Sequence, residues 1–362
     1  MRIKKENMSM DAEQALREMV TKGESPDFVQ TSLAGAMSMG LVSGKFHRNA
    51  QCGCLNLLLT YQCGCRASCS YCGLARNRNT DSSATFIRVK WPTYLMREII
   101  SQVQTRTHPF KRACVSMVTH SRALDDACTI IHDLRENTDL PVSGLLSPTV
   151  MKGRGDLEKI RNAGADRVGI AIDAVTLELF DKHRAGGVGG PHRWEKYMQS
   201  LEDAVNVFGY YKVGVHVIVG LGETEQQMVA FIDRTNEMKV ATHLFSFFPE
   251  SGSILEFHLQ PTLKHYRRIQ LARYLINENI VSLDSMHFSP FGEVVDFGVE
   301  IDPYIELGLP FMTSGCPGND GLLACNRPFG NERASESMRN HPFPPEQEDI
   351  EIIRNQLREY IA

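Results

Sequence analysis

Eight short apolar runs, each about the length of a strand, alternate with amphipathic stretches through most of the 362 residues. They fall at Leu55–Tyr61, Ala113–Thr119, Val142–Ser147, Arg167–Ile172, Val213–Val219, His243–Phe248, Val281–Phe288 and Pro310–Thr313. The early runs are continuous, as in parallel strands buried on both faces. Helix signals lie between them. Thr224 stands three residues before Gln227, a capping-box pattern that predicts a helix to about Lys239. Asp156 precedes a helix that Gly164 ends, and Thr262, after Pro261, opens one through Glu278. Eight strands alternating with helices predict an α/β chain folded as a (β/α)8 TIM-type barrel, closed or partly open. Hydrophobic residues make up 42% of the chain, enough for such a core.

The pattern divides the chain in three. Residues 1–50 read as a helical lead-in, with Ala12, Ala15, Leu16, Met19 and Val20 on one face of a helix over Asp11–Lys22. Residues 51–314 carry the barrel, with a glycine-rich loop at Ala185–Pro191. Residues 315–362 read as a cap: Gly315–Pro345 is rich in Gly, Pro and Asn, and Glu346–Tyr360 is a closing helix. A net charge of −4 with 23% charged residues gives no reason to expect a nucleic-acid partner. The basic start is followed by polar and acidic residues, not by an apolar segment, and the longest apolar runs are strand-sized. A secretory signal and a membrane span are therefore not expected, and a cytoplasmic protein is.

Ten cysteines are many for such a chain. A disulfide scaffold suits short secreted chains, so metal or redox chemistry is the default reading. Cys128 sits on the apolar face of Leu124–Leu134 and reads as core. The segment Cys65-Arg-Ala-Ser-Cys69-Ser-Tyr-Cys72 follows directly on the first strand, where barrels of this kind place their active sites. Three thiolates at spacings of four and three can hold three irons of a [4Fe–4S] cube and leave the fourth free. The alternative is a structural zinc site, with Cys63 and Cys65 completing a four-ligand set. A second constellation lies near the end of the chain, where Cys316 and Cys325 stand nine apart in a Gly/Pro-rich loop. Such turns can wrap a cluster and donate N–H groups to its sulfurs. Cys54, beside strand one, would neighbour strand eight in a closed barrel and is the first choice of further ligand, ahead of Cys52, Cys63 and Cys114. Two ordinary loop cysteines are the plain alternative.

The CxxxCxYC segment resembles the signature of the radical S-adenosylmethionine (SAM) superfamily. That resemblance implies a [4Fe–4S] cluster on Cys65, Cys69 and Cys72, with SAM on the open iron and Tyr71 by the adenine. Gly214-Val-His-Val-Ile-Val-Gly220-Leu-Gly-Glu223-Thr224 resembles the fifth-strand motif of biotin synthase and its relatives, so Gly220 and Glu223 are implied cofactor contacts. Asp173, at the end of strand four, matches a carboxylate that the family places on the ribose. Arg193, at the following helix start, matches an arginine near the cofactor carboxylate; an ordinary surface arginine is the plain reading of the same position. The family's Gly-Gly-Glu after strand two is replaced by Thr119-His-Ser-Arg122, with Thr119 and Ser121 as weak substitutes. Cys114 alone matches the cysteines that hold the second cluster of biotin synthase.

The tail Gly315-Cys316-Pro…Ala324-Cys325-Asn-Arg-Pro, with Cys54-Leu-Asn-Leu-Leu-Leu-Thr, is similar to a biotin synthase-like group that includes the two-protein lipoyl synthases. The implied function is sulfur insertion into a protein-bound octanoyl chain, with a second [4Fe–4S] cluster. The implied partners are a ferredoxin or flavodoxin, an octanoylated lipoyl domain and a second radical SAM enzyme. The alternatives are a radical SAM maturase or mutase without sulfur insertion, and a structural zinc protein.

Overall fold

Val213–Val219 shows how the sheet is built: five of its seven residues are valine or isoleucine, and all but His216 are fully buried. Branched side chains on both faces suit a central parallel strand and little else. In the computed structural model, which describes residues 23–78, 85, 88–325 and 327–358, this strand is β7 of an eight-stranded sheet. The strands are β1 (Phe28–Thr31), β2 (Cys54–Leu59), β3 (Thr93–Leu95), β4 (Arg112–Ser116), β5 (Val142–Leu146), β6 (Ala165–Asp173), β7 and β8 (Ala241–Ser246). Their order is β3-β1-β2-β4-β5-β6-β7-β8. From β2 to β8 every pairing is parallel; β1 pairs antiparallel with both β2 and β3.

The expected α/β barrel type and eight strands are present, with two of the strands exchanged. The first six expected runs are the six parallel strands. The run at Val281–Phe288 is instead a 3-10 turn, Leu283–Ser285, and the first strand of a separate two-stranded hairpin, β9 (His287–Phe288) with β10 (Val294–Asp296). Pro310–Thr313 holds a 3-10 turn, Leu309–Phe311, and one isolated bridge from Met312 to His341. Neither run joins the sheet: of Val281–Phe288 only Met286 is buried, while Pro310 and Phe311 of the second run are buried. The missing pair comes from β1 and β3, and β1 lies within the stretch expected as helical lead-in. That stretch also holds a short helix, Leu33–Ser38. The helix expected over Asp11–Lys22 lies outside the described residues.

Helices cover the outer face. Trp194–Phe208 buries Tyr197, Met198, Leu201, Ala204 and Phe208, a 3.6-residue stripe. Glu225–Glu237 begins with the capping box expected from Thr224 and Gln227. Thr262 caps Leu263–Asn277 by accepting from His265 N. Among the described residues no helix is long and apolar enough to cross a membrane.

The sheet does not close on itself: β8 is an edge. The C-terminal segment lies across the opening. Ser314 Oγ meets His243 Nδ1 of β8 at 3.0 Å, Asn340 Nδ2 donates to Leu244 O of β8 (3.5 Å), and the turn 327–330 packs against β2. At Gly53, just before β2, a Cβ would come within 2.7 Å of Ala324 O, so only glycine allows this approach. The closing helix, Gln347–Arg358, is tied back by the bidentate Arg48–Asp349 pair (2.7 and 2.9 Å).

Two consequences are measurable. Replacing Thr224 by Ala removes the capping box and lowers stability by about 1 kcal/mol in urea denaturation. His341 is buried in the C-terminal segment, and burial, aided by Arg267, pulls its pKa down to about 4. The unfolded chain therefore holds the extra proton between about pH 4 and 6.5. Stability falls as pH drops through 6.5, by at most about 1.4 kcal/mol per pH unit from this group. Thermal unfolding between pH 7.5 and 5 should show the fall, with a shallower slope in His341→Gln.

Candidate active site and thiol clusters

The loop after β2 has no regular structure, so its backbone groups must be satisfied otherwise. Arg66 N donates to Thr119 O (2.9 Å), Arg76 N to Ala67 O (2.8 Å), Cys72 N to Cys69 O (3.2 Å) and Ser70 N to His183 O (2.9 Å). His183 is the peg beneath it. Its Nδ1 meets Ser70 Oγ at 2.8 Å, and its Nε2 meets Leu221 O at 2.9 Å. These contacts set Cys65, Cys69 and Cys72 around a cavity of about 170 Å³ at the C-terminal ends of the parallel strands. Two backbone N–H groups point at thiol sulfurs: Ala67 N at Cys65 Sγ (3.5 Å) and Leu74 N at Cys72 Sγ (3.4 Å). Burial pushes the Cys69 thiol up and the Cys72 thiol well up. Metal binding would remove those protons, because a coordinating thiol is deprotonated.

Among the described residues, no three His, Cys, Asp or Glu side chains converge on a single metal ion. A cube of four irons presents a separate iron to each thiolate, so its ligands surround it and need no common point. The donor set at the cavity mouth is three thiols, two of which accept from backbone N–H groups, which fits such a cluster.

The cavity wall beyond the thiols holds a buried charge cluster. Tyr71 Oη donates to Asp173 Oδ2 at 2.5 Å, and Arg184 Nη1 lies 3.3 Å from the same oxygen. Arg184 Nη1 also donates to Ala171 O, and its guanidinium lies 5.0 Å from the centre of the Tyr197 ring. Burial opposes the charge of Arg184, but Tyr71 and Asp173 hold it charged and its pKa stands well above the usual arginine value. Asp173 takes φ +64°, a left-handed conformation that turns its carboxylate off the end of β6. His192 Nε2 lies 3.5 Å from Cys69 Sγ, while its Nδ1 faces Thr149 Oγ1 (2.5 Å) and Tyr197 Oη (3.0 Å). Burial, with Arg184 nearby, lowers the His192 pKa to about 2, so the ring stays neutral.

The sequence-derived residues separate here. Tyr71, Asp173 and Thr119 line the cavity with the triplet. Arg193 does not: it is exposed at the start of the helix Trp194–Phe208. The arginine inside is Arg184, at the end of the preceding helix, Leu177–Arg184. Gly220 and Glu223 are also outside the lining. The Glu223 carboxylate accepts from Gly220 N (2.6 Å) and Leu221 N (2.9 Å), which fixes the turn whose Leu221 carbonyl holds His183. Their effect on the triplet loop is indirect. Ser121 is exposed. Arg184, His192 and Tyr197 carry no spacing signal that sequence reasoning could have used.

A second thiol group lies at the other end of the sheet interior. Cys54 opens β2, Cys114 lies on β4, and Cys316 and Cys325 come from the C-terminal segment. The Cys54 and Cys325 thiols are hydrogen-bonded to each other, which, with burial, raises the Cys54 pKa well above its ordinary value. Burial pushes Cys316 up to about 12, while Arg112 and Arg167 pull the other way. Cys114, Cys316 and Cys325 line a small cavity of about 20 Å³ with His216, His243 and Ser314. Gly214 leaves room for the His243 ring, which a Cβ would meet at 2.7 Å. Leu145, His216 and Phe245 line both cavities, so these three side chains stand between the two thiol groups.

Solved structures similar to this chain include the methylornithine synthase PylB, at 14% identity and a TM-score of 0.48, with 75% of this chain and 70% of that one covered. The [FeFe]-hydrogenase maturase HydG is 13% identical with a TM-score of 0.49, covering 75% of this chain and 56% of HydG. Coproporphyrinogen III oxidase (HemN) from Escherichia coli is 13% identical with a TM-score of 0.35, covering 54% of this chain and 46% of its own. No curated protein matches the chain. The family model for the radical SAM superfamily matches residues 59–235, from the end of β2 through most of the helix after β7. That stretch contains the cysteine triplet, Tyr71, Asp173 and Arg184, and the match identifies it as a radical SAM domain.

Proposed function

We propose that this radical SAM enzyme inserts sulfur into an unactivated C–H bond, and that its substrate is a protein-bound octanoyl chain that receives one of two sulfurs in lipoyl synthesis. The observation that carries the reading is the second thiol group, Cys54, Cys114, Cys316 and Cys325, facing the triplet cavity across Leu145, His216 and Phe245. Four thiols with the Arg112 and Arg167 cations nearby suit a second [4Fe–4S] cluster. That cluster would supply the sulfide.

When bound, the first cluster and SAM supply a 5′-deoxyadenosyl radical. The chain's own groups do the rest. Cys65, Cys69 and Cys72 are the ligands. Asp173 offers carboxylate oxygens to hydroxyl donors, and Arg184 offers its guanidinium to a carboxylate. Tyr71 fixes Asp173 from one side and Arg184 fixes it from the other. The apolar wall of Leu58, Met117, Val118, Ile218 and Phe247 excludes water, which protects a radical and accepts an aliphatic chain. A ferredoxin or flavodoxin as electron donor, an octanoylated carrier domain and a second radical SAM enzyme complete the proposal. A reducing cytoplasm suits a site made of free thiols.

Anaerobic reconstitution should give about eight irons per chain, and Cys316→Ser with Cys325→Ser should lower this to about four. About four in the wild type would remove the sulfur source and leave a radical SAM mutase or maturase. Incubation with SAM, a reductant and an octanoylated lipoyl-domain peptide should yield 5′-deoxyadenosine and a peptide mass gain of one sulfur. Cys65→Ala, Cys69→Ala or Cys72→Ala should reduce both products to background. Arg184→Met should weaken S-adenosylhomocysteine binding about 10–100-fold, in equilibrium dialysis of protein shown folded by circular dichroism, whereas Arg193→Met should leave it unchanged.

A further inference from the structure

The C-terminal segment places one polar group in the triplet cavity that the proposed chemistry leaves without a task. Gly330 and Asn331 line the cavity beside Phe247 and Phe248. The main chain there is held on every side. Trp91 Nε1 donates to Gly330 O (2.7 Å), and Asn331 N and Glu332 N both donate to Pro328 O (3.0 and 2.7 Å). The buried Glu332 carboxylate accepts from Arg339 N (3.0 Å), and the fully buried Phe329 ring meets Phe46 edge-on. Yet the side-chain oxygen of Asn331 is buried and has no hydrogen-bond partner. An unpaired buried amide is destabilising, and folded proteins keep few of them. A rigid backbone that holds an amide with an unpaired oxygen in a cavity lining is the arrangement of a preorganised binding group.

The position says what the group binds. The turn 327–330 packs on β2, while the charged lining groups, Asp173 and Arg184, belong to β6 and the helix after it. In the strand order, β6 is three strands from β2 and two from β8, so it stands opposite the opening that the C-terminal segment fills. The wall around Asn331 is apolar, with Leu58, Ile218, Phe247 and Phe248. A zwitterionic cofactor finds its charged partners on the β6 side; among the described lining residues none beside Asn331 is charged, and the Arg88 and Arg339 guanidiniums lie on the Phe248 ring without lining the cavity. We infer that Asn331 is a specificity-determining residue for the substrate: its amide hydrogen-bonds a neutral polar group, an amide or a hydroxyl, on an otherwise aliphatic molecule. The inference rests on the reading of this cavity as the radical chamber and narrows what that chamber accepts.

The test uses reconstituted full-length protein and Asn331→Leu, which keeps the size and removes the hydrogen-bonding groups. Without ligand, the variant should melt at a temperature equal to or higher than the wild type, because an unpaired amide has been replaced by an apolar group. Its affinity for S-adenosylhomocysteine should be unchanged. With the octanoylated lipoyl-domain peptide, KM should rise about tenfold or more and kcat should change less. Asn331→Ser, which restores a smaller hydrogen-bonding group, should recover part of the KM. A lower melting temperature would show that the amide has a structural partner and overturn the inference. Weaker S-adenosylhomocysteine binding would reassign Asn331 to the cofactor and overturn it equally, as would an unchanged KM. If wild-type protein leaves the peptide unaltered, the octanoyl reading fails. Asn331 is then judged on melting and cofactor affinity: a raised melting temperature with unchanged cofactor binding upholds a group reserved for a different aliphatic substrate.

Discussion

An open sheet has an edge, and the unpaired N–H and C=O groups of that edge must be covered. Here one edge is β8, and the C-terminal segment covers it. Much of the molecule follows from this one requirement. The segment must run from Ser314, beside His243, past the start of β2, and back to Asn340, beside Leu244. On that path it carries Cys316 and Cys325 to Cys54 and Cys114, and it carries Asn331 to the mouth of the triplet cavity. Two groups at opposite ends of the interior are thus placed by one covering segment. Its rigidity comes from polar contacts of its own: Arg267 Nη1 donates to Arg339 O (2.6 Å), and Tyr266 Oη donates to Asn340 Oδ1 (3.1 Å).

The triplet cavity depends on a different kind of support. Asp173 and Arg184 are both buried or nearly so, and a buried pair is costly to form and more costly to break. Such a pair is weak evidence of stability, and its value here lies in geometry. Asp173 sits in a left-handed conformation at the end of β6, where the ladder to β7 shifts register. Backbone strain at the end of a barrel strand is tolerated when the surrounding contacts over-determine it. Tyr71, from the cysteine loop, and Arg184, from the helix after β6, supply those contacts. The cysteine loop and β6 therefore hold each other in place, and a shift of either moves the thiols relative to the carboxylate.

Local signals in the sequence were legible, and signals that depend on distant packing were not. The capping box at Thr224 and Gln227, the cap at Thr262 and the six parallel strands were all written in neighbouring residues. The triplet and Tyr71 share one loop, so their meeting at one cavity also follows from spacing along the chain. Val281–Phe288 and Pro310–Thr313 have the composition of strands, but neither joins the sheet. β1 and β3 have four and three residues, too few for a period to show. Arg184 and Arg193 illustrate the same limit. Both flank helix ends in one stretch of chain, and nothing local says which one faces the cavity. The answer depends on Phe180 and Tyr197, whose rings lie 5.3 and 5.0 Å from the Arg184 guanidinium. Cys114, a weaker choice in the sequence, joins the second group because β4 pairs with β2 in a register that sets it opposite Asn56.

The partition between the two cavities is as thin as side chains allow. Leu145, His216 and Phe245 come from β5, β7 and β8, and each faces both spaces. The sheet's own glycines make this possible. At Gly169 a Cβ would lie 3.1 Å from Leu145 and 3.3 Å from His216, so any larger residue there would press on the partition. The His216 ring packs on Phe245 at 5.1 Å and edge-on to His243 at 5.7 Å, so one stack joins the partition to the second thiol group. A partition of three side chains held by one stack leaves the two cavities one side-chain layer apart. The glycine at position 169 therefore sets how much lies between the two thiol groups, because a side chain there would press on Leu145 and His216.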